Sequence, residues 1–410
     1  MVVVVVVVEG SGGKVGIRKK IWLPAAMAVL VGGGGKDEFE DASKLDLESR
    51  SSVPFACVFH VPTLILACGV HMELNQQLIF GEDTPQALQL QVVFQSCTPP
   101  EWKEELRCLK RSDLIQSLAD SLPLDTIRFG CHILEVKFDP LTSQPLLQLQ
   151  DGSIIKSKVV IGCDGVNSIF SELLGLKATT LFASGGIRGF TNYPSGHGFS
   201  NEFVRIRKNN ILLGRMPVDD NLVHWFLGRP WTPSDSRVSK EPELIKQTTI
   251  ESIMGFPTEY VEMIKKCDLD DLTLTSLRYR APWDILLGNF RNGTVIVAGD
   301  AMHVMGPYLG QGGSAAIEDA IVLARNLAQV MCTGGSKGSG KEVSQMRIET
   351  AMDQYVKERR MRLFMLATQT YLVGMLVDAS SSVTKLVIII ALIVFFSDSL
   401  RHARYNCGRL

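Results

Sequence analysis

The segment GTVIVAGDAMHVMGPYLGQGGSAAIEDAIVLARNLA, residues 293 to 328, sets a carboxylate, a proline and several glycines between two apolar elements. Val295, Ile296 and Val297 read as a short buried strand. Gly299 and Asp300 follow at its carboxyl end, the edge at which α/β sheets hold ligands. Asp300 offers two acceptor oxygens suited to a sugar-like hydroxyl. Pro307 stiffens the loop, and Gly310, Gly312 and Gly313 let backbone N–H groups approach a ligand closely. Ile317, Ile321, Ala324 and Leu327 then share one face of a helix whose N-terminus carries about half a positive charge. A planar ligand that becomes anionic on reduction, as a flavin does, would be stabilised in such a corner. A plain strand-turn-helix crossover needs neither Asp300 nor this density of glycine.

Two upstream stretches could share the work. VVIGCDGVNS reads as a strand ending at Gly162, an Asp164-Gly165 turn and Ser168. RCLKRSDLIQSLA opens a helix at Arg111, with Leu114, Ile115, Leu118 and Leu122 at helical spacing. Other side chains carry less. His303 in the loop reads as a structural hydrogen-bonder. His224 and Trp225 lie on a strand, where alternation points one of them inward and core packing is the default. No Ser-His-Asp arrangement and no metal-ligand cluster stands out.

The elements that must position these residues are regular from about Cys97 onward. LLQLQDGSIIKSKVVIG is a hairpin with Asp151-Gly152 in its turn, leading into the strand that ends at Gly162. FVRIRKNN and ILLGRMPVDDNLVHWFLG predict antiparallel strands, a wall for a ligand cavity. PELIKQTTIESIMGFPTEYVEMIKKC is helical with a break near Pro257, and CTGGSKGSGK is a connector. SQMRIETAMDQYVKERRMRLFMLATQTYLVGML closes the chain as a long helical region. The first ~95 residues hold no helical or alternating period: seven valines open the chain and a glycine run follows Val31.

At 410 residues the chain exceeds a single core, so two or three subdomains are expected. Hydrophobic content of 46% excludes a disordered chain, and a net charge of −1 gives no bias toward nucleic acid. Nine cysteines, an odd number without a CxxC pair, fit a reducing intracellular compartment, cytoplasm or plastid. Arg18 to Gly35 has a signal-type pattern displaced from the terminus. KLVIIIALIVFF, Lys385 to Phe396, is too short for the ~20 residues of a spanning helix and reads as a buried or peripheral one.

GDAMHVMGPYLGQGGSAAIEDA resembles the second flavin fingerprint of the FAD-dependent aromatic hydroxylases, the group A flavoprotein monooxygenases. VVIGCDGVNS resembles that family's DG motif, and RCLKRSDLIQSLA its cofactor-contacting helix. The match is nearest to a plant monooxygenase 1-like or salicylate hydroxylase-like branch, related to zeaxanthin epoxidase, and covers roughly Cys97 to Leu410. The resemblance implies that Asp300 holds the ribityl chain and that Pro307, Gly310, Gln311 and Gly312 line the isoalloxazine. It implies that Asp164 and Gly165 form a turn linked to FAD and nicotinamide-cofactor binding, and that Arg111, with Arg107 as the alternative, contacts FAD. The arginine that often follows the serine is absent; Ile169, Phe170 and Ser171 stand there. The family's opening strand-GxGxxG-helix unit is missing too. Gly10, Gly12 and Gly16 have the wrong spacing, and Pro24 stands where the helix should run.

The expected fold is α/β: a mixed FAD-binding sheet with helices, an antiparallel substrate sheet and a helical C-terminal region. The expected division is 1–95, an atypical segment in place of the dinucleotide-binding unit; 96–180 and 286–345, the FAD-binding parts; 181–285, the substrate sheet; and 346–410, helical. The expected function is an FAD-dependent monooxygenase that uses NAD(P)H and O₂ to hydroxylate or epoxidise a small aromatic or isoprenoid-like molecule. The alternative is a catalytically silent relative that cannot hold FAD and acts as a binding protein. A third is a membrane-attached epoxidase with a peripheral contact through residues 386–396.

Overall fold

The computed structural model describes residues 4–7, 55–60, 63–68, 71–79, 89–97, 106–123, 126–332, 342–396 and 405–408, with side chains over 108–123, 126–330, 345–396 and 405–408. In chain order the first strands are β1 Val4–Val7, β2 Phe55–His60, β3 Thr63–Cys68, β4 His71–Ile79, β5 Gln89–Cys97 and β6 Leu106–Lys110. After the helix Arg111–Asp120 come β7 Ile133–Phe138, β8 Pro145–Leu149, β9 Ile154–Lys156 and β10 Val159–Gly162. The next are β11 Thr180–Asn192, β12 Phe203–Lys208, β13 Ile211–Pro217 and β14 Leu222–Pro230. Beyond the helices Pro242–Ser252 and Thr258–Lys265 lie β15 Thr273–Tyr279, β16 Arg291–Asn292 and β17 Val295–Val297. The helices Gly312–Cys332, Glu342–Asp378 and Ser382–Phe395 complete the order.

Two sheets position everything that follows. The first is mixed and four-stranded, in the order β1-β10-β17-β16, with β10 and β17 parallel. Val159, Val160, Val295, Ile296 and Val297 are buried in it, because branched apolar side chains suit a strand covered on both faces. Its core takes in Phe170, Met302, Leu323, Met352, Tyr355 and Leu363, so the helices Gly312–Cys332 and Glu342–Asp378 close over one cluster. Each large apolar side chain buried there contributes ~1.5–3 kcal/mol.

The second sheet is antiparallel, seven strands in the order β15-β11-β14-β13-β12-β5-β4. Gly152, in the turn that the sequence predicts between β8 and β9, is left-handed, and so is Asn209 between β12 and β13. One face of this sheet, carrying Ile187, Leu213, Trp225 and Leu227, packs with Ile245, Tyr260 and Ile264 of the two helices flanking Pro257. Two three-stranded sheets, β2-β3-β6 and β7-β8-β9, complete the strand set. The mixed sheet with helices, the antiparallel sheet and the helical C-terminal region are as expected.

Of the apolar face, Ile317 and Ile321 are half-buried, while the neighbouring Glu318 and Asp319 are buried. Apolar spacing could not foresee this, because the acidic pair is buried against arginines from a distant helix. Of the two placements expected for the apolar run, the helix Ser382–Phe395 takes the peripheral one: only its Ile388 is enclosed.

Candidate active site

Gly162 lies level with Val297 in the parallel pair β10–β17, and the Ala298 N–H donates to the Gly162 carbonyl at 3.0 Å. The two chains diverge just beyond, so the Asp164-Gly165 turn and the Gly299-Asp300 turn leave the same carboxyl edge. The Ser171 hydroxyl donates to the Ala301 carbonyl at 2.6 Å and ties the two turns together. In the first turn, Asp164 Oδ2 accepts from the Ile169 N–H at 2.8 Å, while its buried Oδ1 has no partner. Burial raises the Asp164 carboxyl above the usual carboxylate range.

In the second turn Gly299 has φ 61° and ψ −144°, a conformation that side chains rarely adopt. Its N–H donates to Asp319 Oδ2 at 2.9 Å, and His303 Nε2 lies 2.6 Å from the same oxygen. Arg359 Nε donates to Asp319 Oδ1 at 2.7 Å, and its Nη1 lies 2.7 Å from Glu318 Oε2. Arg362 donates to the other Glu318 oxygen at 2.9 Å. Burial works to raise the Asp319 carboxyl, but the charges of His303 and Arg359 outweigh it and hold it down to about 2. A fully buried charge network therefore fixes the turn from which Asp300 projects. Asp300 itself is exposed, the first residue of the short helix Asp300–His303. His303 is wholly buried on Asp319, the structural role expected of it.

Pro307 opens a short 3₁₀ turn, Pro307–Leu309, that Gly310 ends in the left-handed conformation at φ 65°. Gln311 is buried and its carbonyl accepts from the Ala315 N–H at 2.9 Å, so the long helix starts at Gly312. Its first turn aims backbone N–H groups outward, with the positive end of the helix dipole behind them. Arg111 opens its predicted helix directly after β6 and is half-buried. Burial lowers its guanidinium, and the Asp300 carboxylate opposes that shift.

Arg111 in turn lies within electrostatic reach of Arg188 on the antiparallel sheet. Burial, with Arg111 adding to it, brings the Arg188 guanidinium down to about 10. Arg188 pairs across the sheet with Phe226, and Phe190 with His224. These four occupy the face opposite Trp225, so alternation does split His224 from Trp225, yet both are buried. Trp225 donates to Thr191 Oγ1 at 3.1 Å within the helix-covered core. Burial pushes the His224 imidazole down to about 3, which keeps it neutral at ordinary pH.

The predicted Asp164, Gly165 and Asp300 stand at one sheet edge, the helix that starts at Gly312 packs against it through Ala316 beside Gly299, and Arg111 interacts with Asp300; the Pro307–Gly310 turn leads into that helix, with Tyr308 against Phe182 of β11. Sequence reasoning missed Asp319, Arg359 and Arg188. The available signal for the first two was an acidic pair inside an apolar helix, followed some forty residues later by KERRMR. The Arg107 side chain and the glycines at 10, 12 and 16 lie outside the described residues.

The sequence matches the profile of a family described as FAD binding domain over residues 112–362. It is 50% identical over 309 residues to Monooxygenase 1 of Arabidopsis thaliana, covering 75% of this chain and 77% of that protein. The chain belongs to the FAD-dependent aromatic hydroxylase family. Within that family it is also similar to Monooxygenase 2 of Arabidopsis thaliana, 37% identical over 279 residues, which cover 67% of this chain and 68% of that protein. Among solved structures it resembles Klebsiella pneumoniae HpxO complexed with FAD and uric acid, with a TM-score of 0.57 at 18% identity over 70% of this chain and 68% of that one. A salicylate hydroxylase substrate complex gives a TM-score of 0.55 at 18% identity over 75% of both chains. These two likenesses show the fold of the hydroxylase family.

The residues present fit the flavin end of FAD: an exposed carboxylate at a strand tip, an orphaned buried oxygen on Asp164, Arg111 beside Asp300 and a helix N-terminus behind glycines. The adenosine end differs from the family pattern. β1 runs antiparallel to β10, with Val4 opposite Gly162 and Val7 opposite Val159. Its carboxyl end therefore faces away from the edge that holds Asp164 and Asp300, whereas a phosphate-binding strand delivers its glycine loop to that edge.

Proposed function

We propose that this chain is an FAD-dependent monooxygenase that hydroxylates or epoxidises a small aromatic or isoprenoid-like molecule with NAD(P)H and O₂. The observation that carries the reading is the convergence of Asp164, Asp300, Arg111 and the Gly312 helix start at one sheet edge. Bound FAD would supply electron transfer and oxygen activation. The chain's own residues bind and orient. Asp300 accepts from ribityl hydroxyls, and Asp164 Oδ1 accepts from a ligand hydroxyl or N–H, which relieves its buried, unpartnered state. The loop from Pro307 to Gly312 would line the ring when FAD is bound, and the helix N-terminus with Arg111 would offset negative charge there. Phe190, Phe226 and His224 present an apolar, aromatic wall that excludes water from the reacting side, and Arg188 is the cation on that wall.

Asp300→Ala is expected to leave the fold intact and to strip flavin from the purified protein, because the exposed carboxylate carries no core contact. Visible absorbance of the purified protein and reconstitution with added FAD measure it; full flavin occupancy in the variant overturns the assignment. NAD(P)H oxidation coupled to O₂ uptake tests the reaction.

The direction of β1 favours a second reading, a catalytically silent relative without an adenosine site. A colourless wild-type protein that added FAD cannot reconstitute would decide for it.

A further inference from the structure

We propose that the helix Ser382–Phe395 inserts into one leaflet of a membrane with an anionic surface. The exposed apolar arc of this helix runs from Ile389 through Leu386, Ile390 and Val394 to Phe395, about 240° of its circumference at 100° per residue. A helix docked on a partner protein or a second copy needs a stripe little over ~100° wide, the rest being polar. Here the only charged residue between Ser382 and Phe396 is Lys385. An arc this wide fits an apolar medium on all free sides.

Length decides between spanning and insertion. The uninterrupted apolar run, residues 386–396, is ~16 Å long against a hydrocarbon core of ~30 Å. With charges at both ends it lies along the interface within one leaflet, and among the described residues no helix is long and apolar enough to cross a membrane. Charge sets the surface: Lys385 precedes the run, and Arg401, Arg404 and Arg409 follow it against a single Asp398, which suits anionic headgroups.

The helix follows closely on one that is tied to the antiparallel sheet. The preceding helix ends at Asp378, whose carboxylate accepts from Ser184 Oγ at 2.6 Å and from the Ala183 N–H at 3.3 Å. Those residues belong to β11, the strand that carries Arg188 and Phe190. Insertion would hold the antiparallel sheet at a set height above the bilayer.

The test is flotation of the full chain with phosphatidylcholine vesicles, with and without phosphatidylglycerol. The wild type is expected to float with the anionic vesicles, and Ile390→Asp with Ile393→Asp is expected to lower the bound fraction at least ~tenfold. Amide exchange in residues 383–395 of the wild type should slow when vesicles are added, a readout that needs no variant. No flotation with either vesicle overturns the proposal, as does a double variant that floats like the wild type. Binding lost in molar salt, with unchanged amide exchange, assigns it to charge alone. A dimer that the double variant makes monomeric, without flotation, gives the surface to a second copy. These readouts do not depend on FAD, so they stand or fall apart from the monooxygenase reading.

Discussion

The helices Gly312–Cys332 and Ser382–Phe395 invert the usual rule in opposite ways. The first buries two carboxylates, Glu318 and Asp319; the second exposes most of its large apolar side chains. The difference teaches that burial follows partners rather than residue type. Asp319 is enclosed because Gly299, His303 and Arg359 meet its two oxygens at 2.6–2.9 Å. Ile390 and Ile393 stay outside: their helix packs with the helix Glu342–Asp378, and both side chains remain more than half exposed.

The comparison breaks most easily at the acidic pair. Asp319→Ala leaves the buried Arg359 with Glu318 alone, and His303 and Gly299 without their acceptor, and is expected to cost ~3 kcal/mol in urea unfolding. Flavin binding should fall as well, since Asp300 is aimed by the turn that Asp319 holds. A cost below ~1 kcal/mol would mean that the network forms only a neutral packing contact.

Partnering also separates Asp319 from His224, which is equally buried but whose ring nitrogens make no well-formed hydrogen bond. Asp319 is held charged, His224 neutral. The signs follow. The His224 imidazole is depressed from 6.5 to about 3, so the unfolded chain binds a proton that the folded one refuses. Stability then falls as pH drops below 6.5, by ~1.4 kcal/mol per unit and ~2 kcal/mol by pH 5. Asp319 contributes stability above its unfolded value of 3.8, lost only as pH falls toward about 2. Unfolding free energies at pH 7, 6 and 5 should show the His224 slope, and His224→Phe should flatten it. A slope that survives the substitution belongs to another group.

What was legible in the sequence is what local pattern determines. Val295–Val297 is a strand because three branched apolar residues precede Gly299, and Asp300 sits at its tip because the chain must turn there. Arg111 opens a helix because Leu114, Ile115 and Leu118 repeat with its period. The strands β12, β13 and β14 follow from the FVRIRKNN and ILLGRMPVDDNLVHWFLG stretches. The rest was illegible because it depends on contacts remote in sequence. Nothing local says that Arg359 crosses to Asp319, forty residues away, or that Arg188 comes near Arg111. Nothing in the valine run says that Val7 would lie opposite Val159 and so send β1 antiparallel; seven identical residues carry no register or direction of their own.

The smallest expected effect is the sharpest probe of the exposed helix. Ile390 is half exposed, and its own helix meets the protein through Ile388 on the far side. If water is its surroundings in the free protein, Ile390→Ser removes apolar surface that folding never buried. Unfolding free energy without lipid should change by no more than ~0.5 kcal/mol, and solubility should rise. A loss of ~2 kcal/mol or more would show that the face is already covered in the free protein. Concentration then separates the two ways of covering it. A loss that fades on dilution points to a second copy, because association is governed by mass action. A loss independent of concentration points to another part of the same chain. In either case the contrast between the two helices would disappear, because both would bury what they carry.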